Sequence, residues 1–175
     1  MVCAPPELES RSVRRIRVLV ADDDERSLDA LVALLDREGF AIDPAHGGRE
    51  ALERLGLDPL GLEPILDLAE EAPEAVSFDD EIAVPHPRPY DFMVLDYNMP
   101  DLTGIDVLRH VRVRFGCPLP AIMVSGDFSR ELQSLWSAVG GFALLPKPVE
   151  PADFRLHVRQ LVQQFFGGTD PRPRT

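Results

Sequence analysis

Four short apolar runs in this chain each end on a residue that can do chemistry. Ile16 to Ala21 leads into Asp22 and Asp23, Phe92 to Leu95 into Asp96, Ala121 to Val124 into Ser125, and Phe142 to Leu145 into Pro146 and Lys147. Runs of this length read as strands, and the segments between them carry apolar residues at helical spacing. Such alternation predicts an α/β fold, a parallel sheet covered by helices on both faces. In an open sheet of that kind the ligand crevice lies at the carboxyl ends of the strands, so the residues that close the four runs are expected to converge.

The helices follow from apolar periodicity. Leu28, Leu31, Val32 and Leu35 fall at i, i+3, i+4 and i+7, and Gly39 is placed to end that helix. A short second strand is expected over residues 40–45 and a second helix over 48–55. Thr103 and Asp106 have capping-box spacing ahead of a stripe of Val107, Leu108, Val111 and Phe115. Phe128, Leu132, Leu135, Trp136 and Val139 predict a fourth helix, and Phe154, Val158, Leu161, Val162 and Phe165 a fifth. Five strands and five helices result, in one domain over residues 14–166 with a disordered lead at 1–13 and a short tail at 167–175.

Residues 56–90 break the rhythm, because connections between such elements usually need only a handful of residues. This insertion holds nine acids against one base, Arg88, and six of the chain's 17 prolines. Residues 62–71 are compatible with a short amphipathic helix, and Pro85, Pro87 and Pro89 with an extended approach to the third strand. A solvated surface loop is the expectation here, ahead of a dedicated docking element. The net charge of −12 repels a phosphate backbone, which disfavours nucleic acid and anionic lipid as partners. No apolar run approaches the roughly 18 residues of a membrane span, and no export signal is seen, so a cytoplasmic location is expected. Cys3 and Cys117 lack paired spacing and suggest neither a disulfide nor a zinc site.

Adjacent acids after one strand and a third acid after another make an oxygen-only, negative pocket that suits Mg²⁺. With that charge balanced, Asp96 can present a carboxylate oxygen to phosphorus. Phosphoryl transfer builds charge on three equatorial oxygens, and catalysis is mainly positioning and neutralisation of them. Mg²⁺, the Ser125 hydroxyl with nearby N–H groups, and the Lys147 ammonium are three suitable partners, while Gly126 leaves room for the incoming group.

Four blocks in this order closely resemble the receiver domain of two-component response regulators: residues 18–24 (VLVADDD), 96–104 (DYNMPDLTG), 124–126 (VSG) and 147–148 (KP). The resemblance implies a flavodoxin-like fold with strand order 2-1-3-4-5, a cis Lys147–Pro148 peptide, and Asp96 as phosphoacceptor. It also implies Asp23, Asp96 and the Asn98 backbone carbonyl as direct Mg²⁺ ligands, with Asp22 acting through water, and Ser125 and Lys147 as phosphoryl sensors. The implied partners are a sensor histidine kinase or histidine phosphotransfer protein upstream and a protein target downstream, met by the fourth helix, fifth strand and fifth helix. A stand-alone receiver is expected, a phosphoacceptor rather than an enzyme. Receivers usually carry Tyr or Phe three positions before the lysine, and here that residue is Leu144, so switching is expected through loop and helix shifts. Phe142, two residues earlier, is expected on the same face as Leu144. The resemblance also implies that Asn98 and Asp127, two positions after Asp96 and Ser125, flank the path of attacking water and set phosphate lifetime, and their polarity suggests unblocked hydrolysis.

Other residues take plainer readings. Asp24, Asp91 and Asp101 are read as solvated loop residues. The four histidines lack metal-ligand spacing, Trp136 is read as core, and Arg11, Arg14, Arg15 and Arg17 as a solvated edge. Neither GxxxxGK[ST] nor GxGxxG is present, so nucleotide binding has no support. Two alternatives stand beside the receiver: a Mg²⁺-dependent phosphohydrolase using Asp96, which would want an acid where Asn98 stands, and a receiver-like binding module that no longer switches.

Overall fold

The computed structural model describes residues 15–57, 89–115 and 119–167. The expected 56–90 insertion, the 1–13 lead, the tail and Cys117 fall wholly or largely outside the described residues. Five strands, β1 (Arg17–Ala21), β2 (Ala41–Ala45), β3 (Phe92–Asp96), β4 (Ala121–Ser125) and β5 (Ala143–Pro146), form one parallel sheet in the order β2-β1-β3-β4-β5. They alternate with α1 (Glu25–Glu38), α2 (Gly48–Arg54), α3 (Gly104–Phe115), α4 (Arg130–Ala138) and α5 (Pro151–Phe166). The expected fold class and strand order are those observed.

Period-two alternation divides the core into two layers. Leu19 and Ala21 of β1, Met93 and Leu95 of β3, and Ala121 and Met123 of β4 pack with α2, α3 and α4. Val18 and Val20, Phe92 and Val94, and Ile122 and Val124 point the other way, onto Leu28, Leu31 and Leu35 of α1 and Phe154, Val158, Leu161 and Val162 of α5. The central strands are buried on both faces, which is why β1, β3 and β4 read as nearly continuous apolar runs. The edge strand β2 instead tolerates Asp43 and Pro44. Burying a Leu or Phe side chain contributes roughly 1.5–3 kcal/mol, so these two layers dominate the fold's stability.

Caps explain where the helices begin and end. Asp24 is the N-cap of α1, its side chain accepting the Ser27 N–H at 3.2 Å, and Gly39 closes the helix at φ 91°, the left-handed conformation favoured by glycine. The capping box at α3 is present: Thr103 N and Oγ1 donate to Asp106 Oδ2 at 3.1 and 2.6 Å, and Asp106 N donates back to Thr103 Oγ1 at 3.2 Å.

Two expectations are corrected. The α4 stripe is narrower than its periodicity suggested: the helix starts after the N-cap Ser129, so Phe128 lies outside it and is exposed, Leu135 is exposed too, and Leu132 and Trp136 are the buried pair. Phe142 does not share a face with Leu144. It precedes β5, where strand alternation no longer applies, and packs in the α1/α5 layer with its ring edge-on to Phe165 at 6.0 Å. Leu144 packs in the opposite layer.

Candidate functional site

The carboxyl ends of β1, β3, β4 and β5 place the chemical residues side by side. Asp22 follows β1, Asp96 and Ser125 are the last residues of β3 and β4, and Lys147 follows β5. Asp22, Asp96 and Ser125 are all buried. Carboxylate oxygens of Asp22, Asp23 and Asp96 lie within 4.8 Å of one another, the only such metal-competent group among the described residues. Lys147 Nζ reaches both buried acids, 2.8 Å from Asp22 Oδ2 and 2.8 Å from Asp96 Oδ1.

Two buried carboxylates beside a third acid are tolerable only with compensating charge and hydrogen bonds. Asp22 meets that condition with Lys147 on one oxygen and the Asp24 N–H on the other, at 2.9 Å. Asp96 is less well compensated: burial, with Asp22 and Asp23 adding to it, pushes its carboxyl above the usual range although Lys147 opposes the shift. Lys147 is itself buried enough to favour its neutral form, yet its hydrogen bonds to Asp22 and Asp96 outweigh that and hold it cationic. An all-oxygen cluster that still carries excess negative charge after Lys147 is counted fits a hard divalent cation.

Ser125 joins the site through backbone as well as register. Its carbonyl accepts the Lys147 N–H at 2.8 Å, tying the two strand ends together, and its Oγ accepts the Asp127 N–H at 3.0 Å. That leaves the Ser125 O–H proton to point elsewhere. A Cβ on Gly126 would meet nothing within 4 Å, so space is open beside the hydroxyl. Asn98 is exposed on the loop after β3. Asp127 is also exposed, but its carboxylate is engaged with Ser129, accepting its N–H at 2.9 Å and its hydroxyl at 3.1 Å. The Lys147–Pro148 peptide is cis.

Gly104 shows how closely the loop after β3 folds back. A Cβ there would come within 2.5 Å of the Asp96 carbonyl oxygen, and Gly104 N donates to Tyr97 O at 3.2 Å. Only glycine lets α3 start this near the acid.

Three acids read as solvated loop residues turn out to be structural. Asp24 caps α1, a role its place just before the helix could have signalled. Asp91 Oδ2 accepts the Arg17 N–H at 2.7 Å, and Asp101 accepts the Gly48 and Arg49 N–H groups at 3.0 and 2.8 Å. These partners, Arg17 for Asp91 and Gly48 and Arg49 for Asp101, are far away in sequence, so no local pattern announces them. Arg17, half-exposed, pairs with Asp43 at 2.8 Å and stacks over Tyr90 at 5.1 Å. Among the described histidines, His110 is buried and bonds the Asp106 carbonyl through Nδ1 at 2.7 Å, and His46 bonds Glu50.

Comparison with known proteins agrees with this geometry. The profile described as response regulator receiver domain matches residues 66–159, a stretch that includes Asp96, Ser125 and Lys147 and begins after Asp22 and Asp23. The transcriptional regulatory protein CutR of Streptomyces coelicolor is 30% identical over 148 residues, covering 83% of this chain and 53% of that protein. ResD of Bacillus subtilis is 26% identical over 160 residues, covering 89% and 53%. The chain thus spans about half the length of these curated relatives. Among solved structures, a CheY-like receiver domain protein from Methanospirillum hungatei superposes with TM-score 0.64 at 21% identity, covering 88% of this chain and 98% of that one. The chemotaxis protein CheY4 of Vibrio cholerae superposes with TM-score 0.58 at 23% identity, covering 87% and 99%. Receiver domains typically serve as phosphoacceptors rather than enzymes and are phosphorylated by histidine kinases. No helix among the described residues is long and apolar enough to cross a membrane. The profile matches more than half of the chain, and its stretch holds Asp96, Ser125 and Lys147 at the sheet's carboxyl edge: the chain belongs to the response regulator receiver domain family.

Proposed function

We propose that this chain is a phosphoaspartate switch that takes a phosphoryl group onto Asp96 from a phosphohistidine of a sensor kinase or phosphotransfer protein. The observation that carries this reading is Lys147 Nζ, 2.8 Å from Asp22 and from Asp96 at the mouth of the sheet. Asp96 supplies the nucleophile: one carboxylate oxygen forms a bond to phosphorus while the phosphorus–nitrogen bond breaks and its electron pair leaves with the imidazole nitrogen of the donor. Lys147 opposes the effect of burial on the Asp96 carboxylate and holds it in place, and its ammonium is near enough to meet one phosphoryl oxygen. The Ser125 hydroxyl, already accepting from Asp127 N, has its own proton to donate to another. Asp22, Asp23, Asp96 and the Asn98 backbone carbonyl would hold Mg²⁺, directly or through water, and the ion would supply the positive charge that this cluster lacks.

The donor meets the site from the side of α1. A groove of about 530 Å³ between α1 and the segment after β5 is lined by Lys147, Pro148 and Val149 together with Ser27, Leu31 and Leu34, so a protein seated there lies next to the acceptor. Output passes by protein contact at α4, β5 and α5, where Leu135 of α4 and Phe165 of α5 are exposed. The location is cytoplasmic, where such kinases present their phosphohistidine.

The test is incubation of wild type and Asp96→Asn with Mg²⁺ and a small phosphodonor, read by intact mass. A single base-labile, acid-stable phosphoryl adduct on wild type alone supports the switch. Adducts on both proteins, or rapid turnover of an external phosphoester, would contradict it.

A further inference from the structure

The β3–α3 loop and the first turn of α2 are fastened together by one side chain. Asp101 Oδ1 accepts the Gly48 N–H at 3.0 Å and the Leu102 N–H at 2.8 Å, while Oδ2 accepts the Arg49 N–H at 2.8 Å. Gly48 and Arg49 open α2, where backbone N–H groups have no partner within the helix, and the carboxylate provides one for each. Close packing accompanies the hydrogen bonds. A Cβ on Gly48 would lie 2.7 Å from Leu102 Cβ, and one on Gly47 3.0 Å from Asp101 Oδ2, so two glycines are what allow the segments to meet.

The loop held in this way, residues 97–103, leaves Asp96 and carries Asn98. Its first residue is tied to β4 by Tyr97 N to Val124 O at 2.9 Å, and its end is pinned to the start of α3 by the Thr103–Asp106 box. Asp101 ties its middle to a different element. We infer that Asp101 is a positioning residue, holding the 97–103 loop against α2 so that the Asn98 carbonyl is in place for Mg²⁺, and thereby coupling occupancy of the site to the first turn of α2. The inference rests on the Mg²⁺-dependent reading above. Coupling of this kind is reciprocal: an ion that orders the loop must also tighten the amides at the far end of the Asp101 contacts. α2 ends at Arg54, and the chain enters its most acidic stretch soon after, at Asp58.

The experiment uses the full chain, with Mg²⁺ affinity from calorimetry and amide exchange at Gly48 and Arg49 from NMR, for wild type, Asp101→Ala and Asp101→Asn. Asp101→Ala is expected to weaken Mg²⁺ binding about tenfold, the scale seen when an outer partner of a metal site is lost. Asp101→Asn, which keeps the oxygen facing Gly48 and Leu102, is expected to weaken it less. Mg²⁺ should slow exchange of the Gly48 and Arg49 amides in wild type and not in Asp101→Ala. Wild-type Mg²⁺ affinity in Asp101→Ala, even with a lowered Tm, overturns the inference and leaves the metal site standing. A wild type that binds no Mg²⁺ overturns both. Should Asp101→Ala fail to fold, unchanged affinity and unchanged amide protection in Asp101→Asn overturn it.

Discussion

The indole Nε1 of Trp136 donates to the backbone carbonyl of Ala143 at 3.0 Å, joining α4 to the edge strand β5 one residue before Leu144. The ring also fills the space in which a Cβ on Gly141 would stand. Where receivers usually carry an aromatic residue on β5, this chain has a leucine, and its large ring sits on α4 instead.

Trp136→Phe keeps an apolar ring but loses the hydrogen bond, so the fold should lose about 1 kcal/mol, measured as a lower urea midpoint at unchanged m-value. Trp136 is the chain's one tryptophan. Its emission should therefore change when Mg²⁺ and a phosphodonor are added to wild type, and remain constant when the donor is added to Mg²⁺-loaded Asp96→Asn. Constant emission alongside a confirmed phosphoryl adduct would mean that β5 and α4 do not move together.

Asp96 makes the metal-free protein less stable than it could be. Its folded carboxyl titrates above the ordinary 3.8 because of burial and of the neighbouring Asp22 and Asp23. The folded state therefore binds that proton more tightly than the unfolded one, and the associated stability, complete below pH 3.8, is lost as pH rises through the folded value. Asp96→Asn should raise Tm at neutral pH without Mg²⁺ by about 2–4 °C, as expected for a change near 1 kcal/mol in a domain of this size. The advantage should shrink below pH 3.8. Mg²⁺ at one hundred times its Kd should stabilise the wild type by about 2.7 kcal/mol, reversibly with EDTA.

Asp101 titrates in the opposite direction. Burial pushes its carboxyl up, but the N–H groups of Arg49, Gly48 and Leu102 outweigh burial and hold it below 3.8. Its contribution is thus present above pH 3.8 and lost as pH falls through the folded value. Acid unfolding of Asp101→Asn should lack that part of the pH dependence, so the two proteins should converge in Tm at the acid end.

Gly104→Ala tests how closely α3 approaches the acid. The atoms that a methyl would meet are the carbonyl group of Asp96 and Leu95 Cβ, none of which can rotate away. A loss of about 1–3 kcal/mol is expected, with slower adduct formation on Asp96 because the carbonyl it displaces belongs to the proposed acceptor. Wild-type rates of adduct formation in a destabilised Gly104→Ala would separate packing from positioning.

Much of the fold was legible because it depends on local periodicity. Apolar runs behind Asp22, Asp96, Ser125 and Lys147 name the strands, Leu28 to Leu35 name α1, and the receiver-like blocks order the sheet. Period alone overreached where an element's true start was not visible: Phe128 lies before α4, and Phe142 before β5, so neither follows the alternation counted through it. Which acids would matter was legible only in part. Asp22, Asp23 and Asp96 stood out by register with strand ends, whereas Asp24, Asp91 and Asp101 looked like solvent-facing loop residues.

The order of residues along the chain thus determined the two-faced core and the kinds of group at the sheet's carboxyl edge, since both follow from spacing and side-chain chemistry. Tertiary structure alone decided that Lys147 serves two acids at once and that Asp101 closes on α2. These contacts join residues far apart in sequence, across distances that only sheet register and the close approach of Gly47 and Gly48 bring down to hydrogen-bonding range.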